Sequence, residues 1–103
     1  VDDQTGSPTY APDLAEAIVN LARLDVSGFF HVTNAGQCTW CGFAQEIIRL
    51  AGLDVSITPI ASAEFPRPAR RPAFSVLDDR RYVETVGERL RPWQEAIAEF
   101  IAR

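Results

Sequence analysis

The sequence has 103 residues, enough for one small domain with a modest hydrophobic core. Its formal net charge of −4 argues against a nucleic-acid-binding module, which needs a basic surface to contact phosphates. The sequence has no apolar run near the ~20 residues of a membrane span and no signal peptide at its start. We therefore expect a cytoplasmic protein without a membrane or nucleic-acid partner.

The first half of the chain predicts two amphipathic helices with a strand between them. Residues 12–24 carry apolar side chains at helical spacing after an early proline. Residues 29–33 are aromatic and β-branched, which favours a strand. The second helix spans 40–51, with Thr39 as its N-cap and Gly52 just after its end. Its predicted core-facing side chains are Trp40, Phe43, Ala44, Ile47 and Ala51.

The second half predicts shorter elements around a proline-rich loop. Residues 55–60 and 74–77 read as short strands, and residues 61–72 as an extended loop. Asp78 is a candidate cap for a short helix over 79–86, and a last helix covers 92–102. Four helices and three short strands predict a helix-rich mixed α/β fold. This is too little for a complete doubly wound sheet, so we expect residues 1–103 to form a lobe that packs on one.

All ten basic residues are arginine, and the absence of lysine excludes several chemistries. A phosphate-binding P-loop, a Schiff-base enzyme and a Tyr-x-x-x-Lys reductase pair each require a lysine. The six glycines do not form the G-x-G-x-x-G fingerprint of a dinucleotide site. We therefore expect no catalytic residue and no bound cofactor within these 103 residues.

The Cys38-Thr39-Trp40-Cys41 motif allows several interpretations. A C-x-x-C at a helix start is the arrangement that lowers thiol pKa in redox enzymes, and it also supplies half of a zinc site. Zinc would need further ligands, and His31 is the only histidine. The simpler interpretation, which we favour, is two semi-buried small residues beside a core tryptophan, with no metal. For His31 we likewise favour a hydrogen-bonded structural role over catalysis.

Two polar segments are candidate ligand sites. The opening residues 3–9 offer amide, hydroxyl and glycine groups just before a helix start, which suits a polar or anionic ligand. Residues 64–81 carry five arginines against three acids among several prolines. Arginines on a stiffened loop grip phosphate or carboxylate at reduced entropic cost. Ordinary capping chemistry for the first segment, and surface ion pairs for the second, are the alternatives.

Three blocks of sequence together resemble the C-terminal third of the dTDP-4-dehydrorhamnose reductase family, within the extended short-chain dehydrogenase/reductases. The blocks are residues 1–11 with 13–15, residues 30–34 with Gly36 and Trp40, and residues 66–72 with 75–78, followed by the closing segment 91–97. One departure is Cys41, which stands where the family commonly has tyrosine after tryptophan. This departure weakens any family role for residue 41.

The resemblance implies a lobe that helps to hold a dTDP-sugar while a separate N-terminal Rossmann domain binds NADPH and carries the catalytic Tyr and Lys. The reaction it implies is reduction of dTDP-4-dehydro-L-rhamnose to dTDP-L-rhamnose. It makes Gln4, Pro8 and Thr9 candidates for the sugar-nucleotide site. It makes Arg67 and Arg70 candidates for binding the diphosphate or for the domain interface. We expect this chain alone to be inactive, to bind dTDP-sugar weakly and to self-associate, as in a homodimer, through apolar surface.

Two other functions remain open at this point. One is a non-catalytic binding or regulatory subunit on the same fold, as in the beta subunit of methionine adenosyltransferase. The other is a thiol-redox module that uses Cys38 and Cys41.

Overall fold

A computed structural model of the chain describes residues 1–61, 63 and 71–102. Its four helices confirm the helical part of the prediction. They are α1 (Ala11–Ala22), α2 (Trp40–Ala51), α3 (Arg80–Val86) and α4 (Trp93–Ala102). Each lies within two residues of its predicted bounds, and none of the described helices is long and apolar enough to cross a membrane.

Both predicted ends of α2 are confirmed. The Thr39 side chain accepts a hydrogen bond from the Gly42 amide at 3.0 Å, which satisfies one of the free N–H groups of the first turn. Gly52 follows the helix with a left-handed φ of 69°, a conformation that costs glycine little. At the start of α3, Asp79 occupies the cap position without a side-chain cap, while Asp78 accepts from the Arg80 amide.

The predicted strands were wrong in position. The described residues contain one two-stranded antiparallel sheet, in which β1 (Thr5–Gly6) pairs with β2 (Cys38–Thr39). Residues 29–33 and 55–60 form no strand there, and residues 74–77 contribute only a parallel bridge from Phe74 to Thr5. A strand requires a partner for its hydrogen-bond ladder, which composition alone does not specify. The predicted loop 61–72 lies largely outside the described residues.

The core forms where α2 and α4 pack together. Buried apolar side chains come from every helix, namely Ala17, Cys41, Tyr82, Trp93 and Ala96. The Phe43 and Trp93 rings meet edge to face with centroids 5.7 Å apart, a geometry that aromatic pairs favour. The prediction that Trp40 belongs to the core is wrong, since it is 63% exposed while Cys41 is buried. In the first turn of α2, the buried position is therefore residue 41 and not residue 40.

The opening segment, residues 1–9, connects distant parts of the chain. The Val1 carbonyl accepts from the Cys41 amide, and the Asp2 amide donates to the Ile60 carbonyl at 2.7 Å. Thr5 donates its amide to Ala73 and accepts from the Ser75 amide. Backbone groups from three other regions of the chain thus fix the position of the opening segment.

Candidate functional site

A cleft of about 570 Å³ lies between the opening segment, the start of α2 and residues 71–77. We call it the ligand cleft. Its hydrogen-bonding side chains are those of Gln4, Thr5, Ser7, Thr9, Thr33, Thr39, Arg71 and Ser75. Its apolar lining comes from Pro8, Leu14, Val32, Trp40, Phe43, Pro72 and Leu77, with Gly6 and Cys38 completing the wall. A concave site with apolar walls and a few convergent polar groups is the usual form of a small-molecule site.

The polar wall of the cleft is ordered by its own hydrogen bonds. The Ser7 hydroxyl donates to the Gly36 carbonyl at 2.8 Å, and the Thr9 hydroxyl donates to the Ser7 carbonyl at 3.2 Å. The Ser75 hydroxyl donates to the Thr5 carbonyl at 3.2 Å. These contacts tie the loop to residues 36 and 75 and to its own backbone.

The structure brings three of the five predicted site residues together. Gln4, Pro8 and Thr9 all line the ligand cleft. The other two, Arg67 and Arg70, lie outside the described residues. Arg71 also lines the cleft, although sequence reasoning did not select it from its arginine-rich segment. The arginine-rich composition indicated the segment as a whole, and the family resemblance selected Arg67 and Arg70 within it but not Arg71.

The described arginines of that segment have different environments. Arg80 pairs with Asp78 at 2.7 Å, so for this residue the ion-pair alternative holds. Arg81 donates to the carbonyls of Ser27 and Phe29, and its guanidinium lies 4.2 Å from the centre of the Phe30 ring. Arg71 is exposed and makes no ion pair with any residue that the structure describes. Its charge is therefore available to a ligand in the cleft.

The cysteine motif does not have the features of a redox site. Both thiols are free; Cys41 is buried, and burial raises the pKa of Cys38, whereas a reactive thiol needs a lowered pKa. Within the described residues, no group of three His, Cys, Asp or Glu side chains could hold a metal ion. His31 is exposed, so it does not lie in the buried surroundings where a hydrogen-bonded structural histidine is usually found.

A second polar region, which we call the clamp, consists of Asp13, Asn34, Arg91 and Glu99. Asn34 is only 1% exposed; it accepts from the Tyr10 amide and donates to Asp13 and to the Arg91 carbonyl. The Arg91 guanidinium bonds Asp13 at 2.9 and 3.1 Å and also reaches Glu99. The hydrogen bond from Arg91 holds the pKa of Asp13 below its usual value, against the effect of burial. The clamp joins the N-terminal end of α1 to α4.

The fold and the ligand cleft together define a helix-rich α/β binding lobe. The family model described as the RmlD substrate binding domain matches residues 1–103, and the chain belongs to that family. The predicted fold class and family resemblance are thereby confirmed.

Curated relatives agree with this assignment. The chain is 43% identical over 101 residues to the spore coat polysaccharide biosynthesis protein SpsK of Bacillus subtilis, covering 98% of the chain and 35% of the relative. It is 42% identical over 104 residues to a dTDP-4-dehydrorhamnose reductase of Mycobacterium tuberculosis, covering 99% of the chain and 34% of the relative. The chain thus spans about a third of the length of the relatives it matches.

Solved structures give the same result. A dTDP-4-dehydrorhamnose reductase from Clostridium acetobutylicum superposes with a TM-score of 0.93 at 43% identity, covering 99% of the chain and 36% of that structure. The reductase from Bacillus anthracis, solved in complex with NADP, gives a TM-score of 0.89 at 33% identity, with coverage of 98% and 35%.

Proposed function

We propose that this chain is the sugar-nucleotide-binding domain of an NADPH-dependent reductase that converts dTDP-4-dehydro-L-rhamnose to dTDP-L-rhamnose. The observation that carries this proposal is the ligand cleft itself, in a member of a substrate-binding family. It is lined by Gln4, Pro8 and Thr9 and by Arg71, an arginine without an ion-pair partner among the described residues. The names of the relatives supply the substrate class.

The cleft suits the two chemical parts of a sugar nucleotide. A diphosphate carries negative charge that an exposed guanidinium binds through paired N–H donors, which is the role we assign to Arg71. Sugar hydroxyls both donate and accept, as does the Gln4 amide, while the Thr9 hydroxyl, which already donates to the Ser7 carbonyl, can accept. Arg67 and Arg70 stay predicted contacts to the diphosphate or the domain interface.

In this proposal the reaction divides between two domains. NADPH would supply a hydride to the C4 ketone of the sugar. The residues of this chain do not fit the cofactor, because the sequence has no glycine-rich dinucleotide fingerprint, nor do they supply the Tyr-x-x-x-Lys pair. Their role is to bind and orient the sugar nucleotide in the cytoplasm, against a Rossmann domain of the same polypeptide. Orientation of this kind reduces the entropic part of the barrier.

The test is an assay of the full polypeptide that carries this chain. NADPH consumption is followed with dTDP-4-dehydro-L-rhamnose and without any sugar nucleotide. We expect turnover that depends on the sugar nucleotide, with an increase in KM of about tenfold when Gln4 is replaced by alanine, because a ligand hydrogen bond is lost. An exposed amide outside the cleft, Gln45, gives the matched control variant Gln45→Ala. Absence of NADPH consumption would contradict the proposal.

A comparison of substrates sharpens the assignment. One relative, 45% identical, is a probable dTDP-4,6-dihydroxy-2-methyloxan-3-one 4-ketoreductase of Streptomyces antibioticus, and another, 38% identical, is a dTDP-4-keto-6-deoxy-D-glucose reductase of Streptomyces niveus. We expect dTDP-4-dehydro-L-rhamnose to give a higher kcat/KM than dTDP-4-keto-6-deoxy-D-glucose. If dTDP-4-keto-6-deoxy-D-glucose gave the higher kcat/KM, the proposed reaction would still be reduction of a sugar-nucleotide ketone, but the proposed sugar would change.

A further inference from the structure

Trp40 is the largest apolar side chain that the ligand cleft leaves exposed. It lines the cleft and is 63% exposed, whereas the other tryptophan, Trp93, is 6% exposed and packs against Phe43. Exposure of a single apolar residue is ordinary on a protein surface. The position of Trp40 at the wall of a concave site, whose lining also includes the arginine we assign to the diphosphate, is more informative.

The backbone on both sides of Trp40 is fixed. Before it, the Thr39 hydroxyl accepts from the Gly42 amide at 3.0 Å and donates to the Asp2 carboxylate at 2.6 Å. After it, the Cys41 amide donates to the Val1 carbonyl at 3.0 Å, and the Cys41 side chain is buried. The indole is thus uncovered on a backbone held by both the start of α2 and the opening segment.

This combination is what a ligand platform requires. A side chain whose backbone is already ordered loses less conformational entropy when it contacts a ligand. An indole presents a large flat apolar face with only two rotatable side-chain bonds, and bases stack favourably on such a face. A sugar nucleotide has two ring systems, the base and the sugar, on either side of its diphosphate.

We propose that Trp40 is a specificity residue of the cleft, which stacks on a ring of the sugar nucleotide while Arg71 binds the diphosphate. The assignment rests on the proposed function, because it takes a sugar nucleotide as the ligand. It adds a second point of recognition that distinguishes a nucleotide ligand from pyrophosphate alone.

The test is a set of dissociation constants measured by calorimetry on the full polypeptide, with dTDP, dTDP-L-rhamnose and pyrophosphate as probes. We expect Trp40→Ala to weaken at least one of the ring-bearing ligands by about tenfold, as base stacking on aromatic side chains does elsewhere. Trp40→Phe should keep most of the affinity, and pyrophosphate binding should not change. Loss with dTDP-L-rhamnose alone identifies the sugar ring as the stacked group, and loss with both identifies the base.

Phe74 supplies the matched control. It is 62% exposed and bridges to Thr5 near the cleft, but it does not line it. Phe74→Ala should leave all three dissociation constants unchanged. A direct readout is the indole N–H resonance that Trp40→Phe removes, which should shift when dTDP is added.

Three results would overturn the inference. Unchanged affinity of Trp40→Ala for both ring-bearing ligands would show that the indole does not contact them. An equal loss for pyrophosphate would indicate a structural or domain-contact role instead. Failure of the unaltered polypeptide to bind any of the probes would overturn the proposed function together with this inference, so the two failures are distinguishable.

Discussion

The clamp and the ligand cleft contain similar side chains in opposite circumstances. In the clamp, Arg91 bonds two carboxylates, and Asn34 is buried with three hydrogen bonds. In the cleft, Arg71 is exposed without an ion pair among the described residues, and Trp40 is largely uncovered. Groups that are satisfied within the chain contribute to stability, and groups left open are available to a ligand. Substitutions in the two regions should therefore separate stability from binding.

The largest effect should come from Asn34→Ala in the clamp. The substitution leaves the Tyr10 amide, Asp13 and the Arg91 carbonyl each short of a hydrogen-bond partner at a part-buried position. At roughly 1 kcal/mol for each lost bond, the free energy of unfolding should fall by about 3 kcal/mol, measured by urea denaturation. Gln37→Ala, at an exposed amide, is the control and should change it little. An Asn34→Ala variant as stable as the unaltered chain would break the comparison.

Asp13→Asn tests whether the negative charge of Asp13 stabilises the clamp. The test is the pH dependence of the free energy of unfolding. The pKa of Asp13 is lowered in the folded state, so the carboxylate contributes stability above its unfolded pKa of about 3.9 and loses it as the pH falls through the lowered value. At pH 7 the variant should be less stable by about 2 kcal/mol, because the bonds from Arg91 weaken.

Below about pH 4, near the unfolded pKa, the difference between Asp13→Asn and the unaltered chain should shrink. Urea denaturation from neutral to acid pH measures it. If the difference in unfolding free energy stays constant with pH, the charge of Asp13 adds nothing to stability.

Arg71→Ala should affect binding and leave stability unchanged. Loss of its charge-assisted bonds should weaken dTDP binding by about tenfold and reduce the salt dependence of that binding. Arg80→Ala is the control, since Arg80 is exposed and paired with Asp78 outside the cleft. Calorimetry measures the affinity, and thermal unfolding should change for neither variant. Equal affinities of the two variants would remove Arg71 from the site.

Thr39→Ala should have the smallest effect. It tests a residue that contributes both to stability and to the cleft. Thr39 lines the cleft and also caps α2, so its loss should cost about 1 kcal/mol of stability. Binding of dTDP should weaken only a few-fold, through the position of Trp40. Thr39→Ser retains the hydroxyl and should restore both properties; if it restores neither, the cap is not the cause.

The helices could be predicted from the sequence because their signals are local. Thr39 and Gly52 mark the two ends of α2 by side-chain chemistry and backbone conformation that each residue carries itself. The β pairing could not be predicted in this way. Thr5–Gly6 and Cys38–Thr39 are short, and they pair because the opening segment is held against α2 by contacts across the chain.

The site was predictable in part, through the family resemblance. That resemblance pointed to Gln4, Pro8 and Thr9, which do line one cleft, although their contact with a ligand stays a prediction. Helical spacing placed Trp40 in the core, whereas the first turn of α2 buries Cys41 instead. At the end of a helix, the neighbouring segment decides which side is covered, and that segment is distant in the sequence.

The hydrogen bonds of the opening segment have a consequence for the order of folding. The Ser75 hydroxyl reaches the Thr5 carbonyl across 70 positions, and the Asp2 amide reaches Ile60. Contacts so far apart require closure of long loops, and the entropy of closure is lost before the contacts repay it. The helices therefore have local reasons to form early, and we expect the cleft wall to be completed when the opening segment docks. We expect the cleft to be among the last parts of the molecule to acquire its shape.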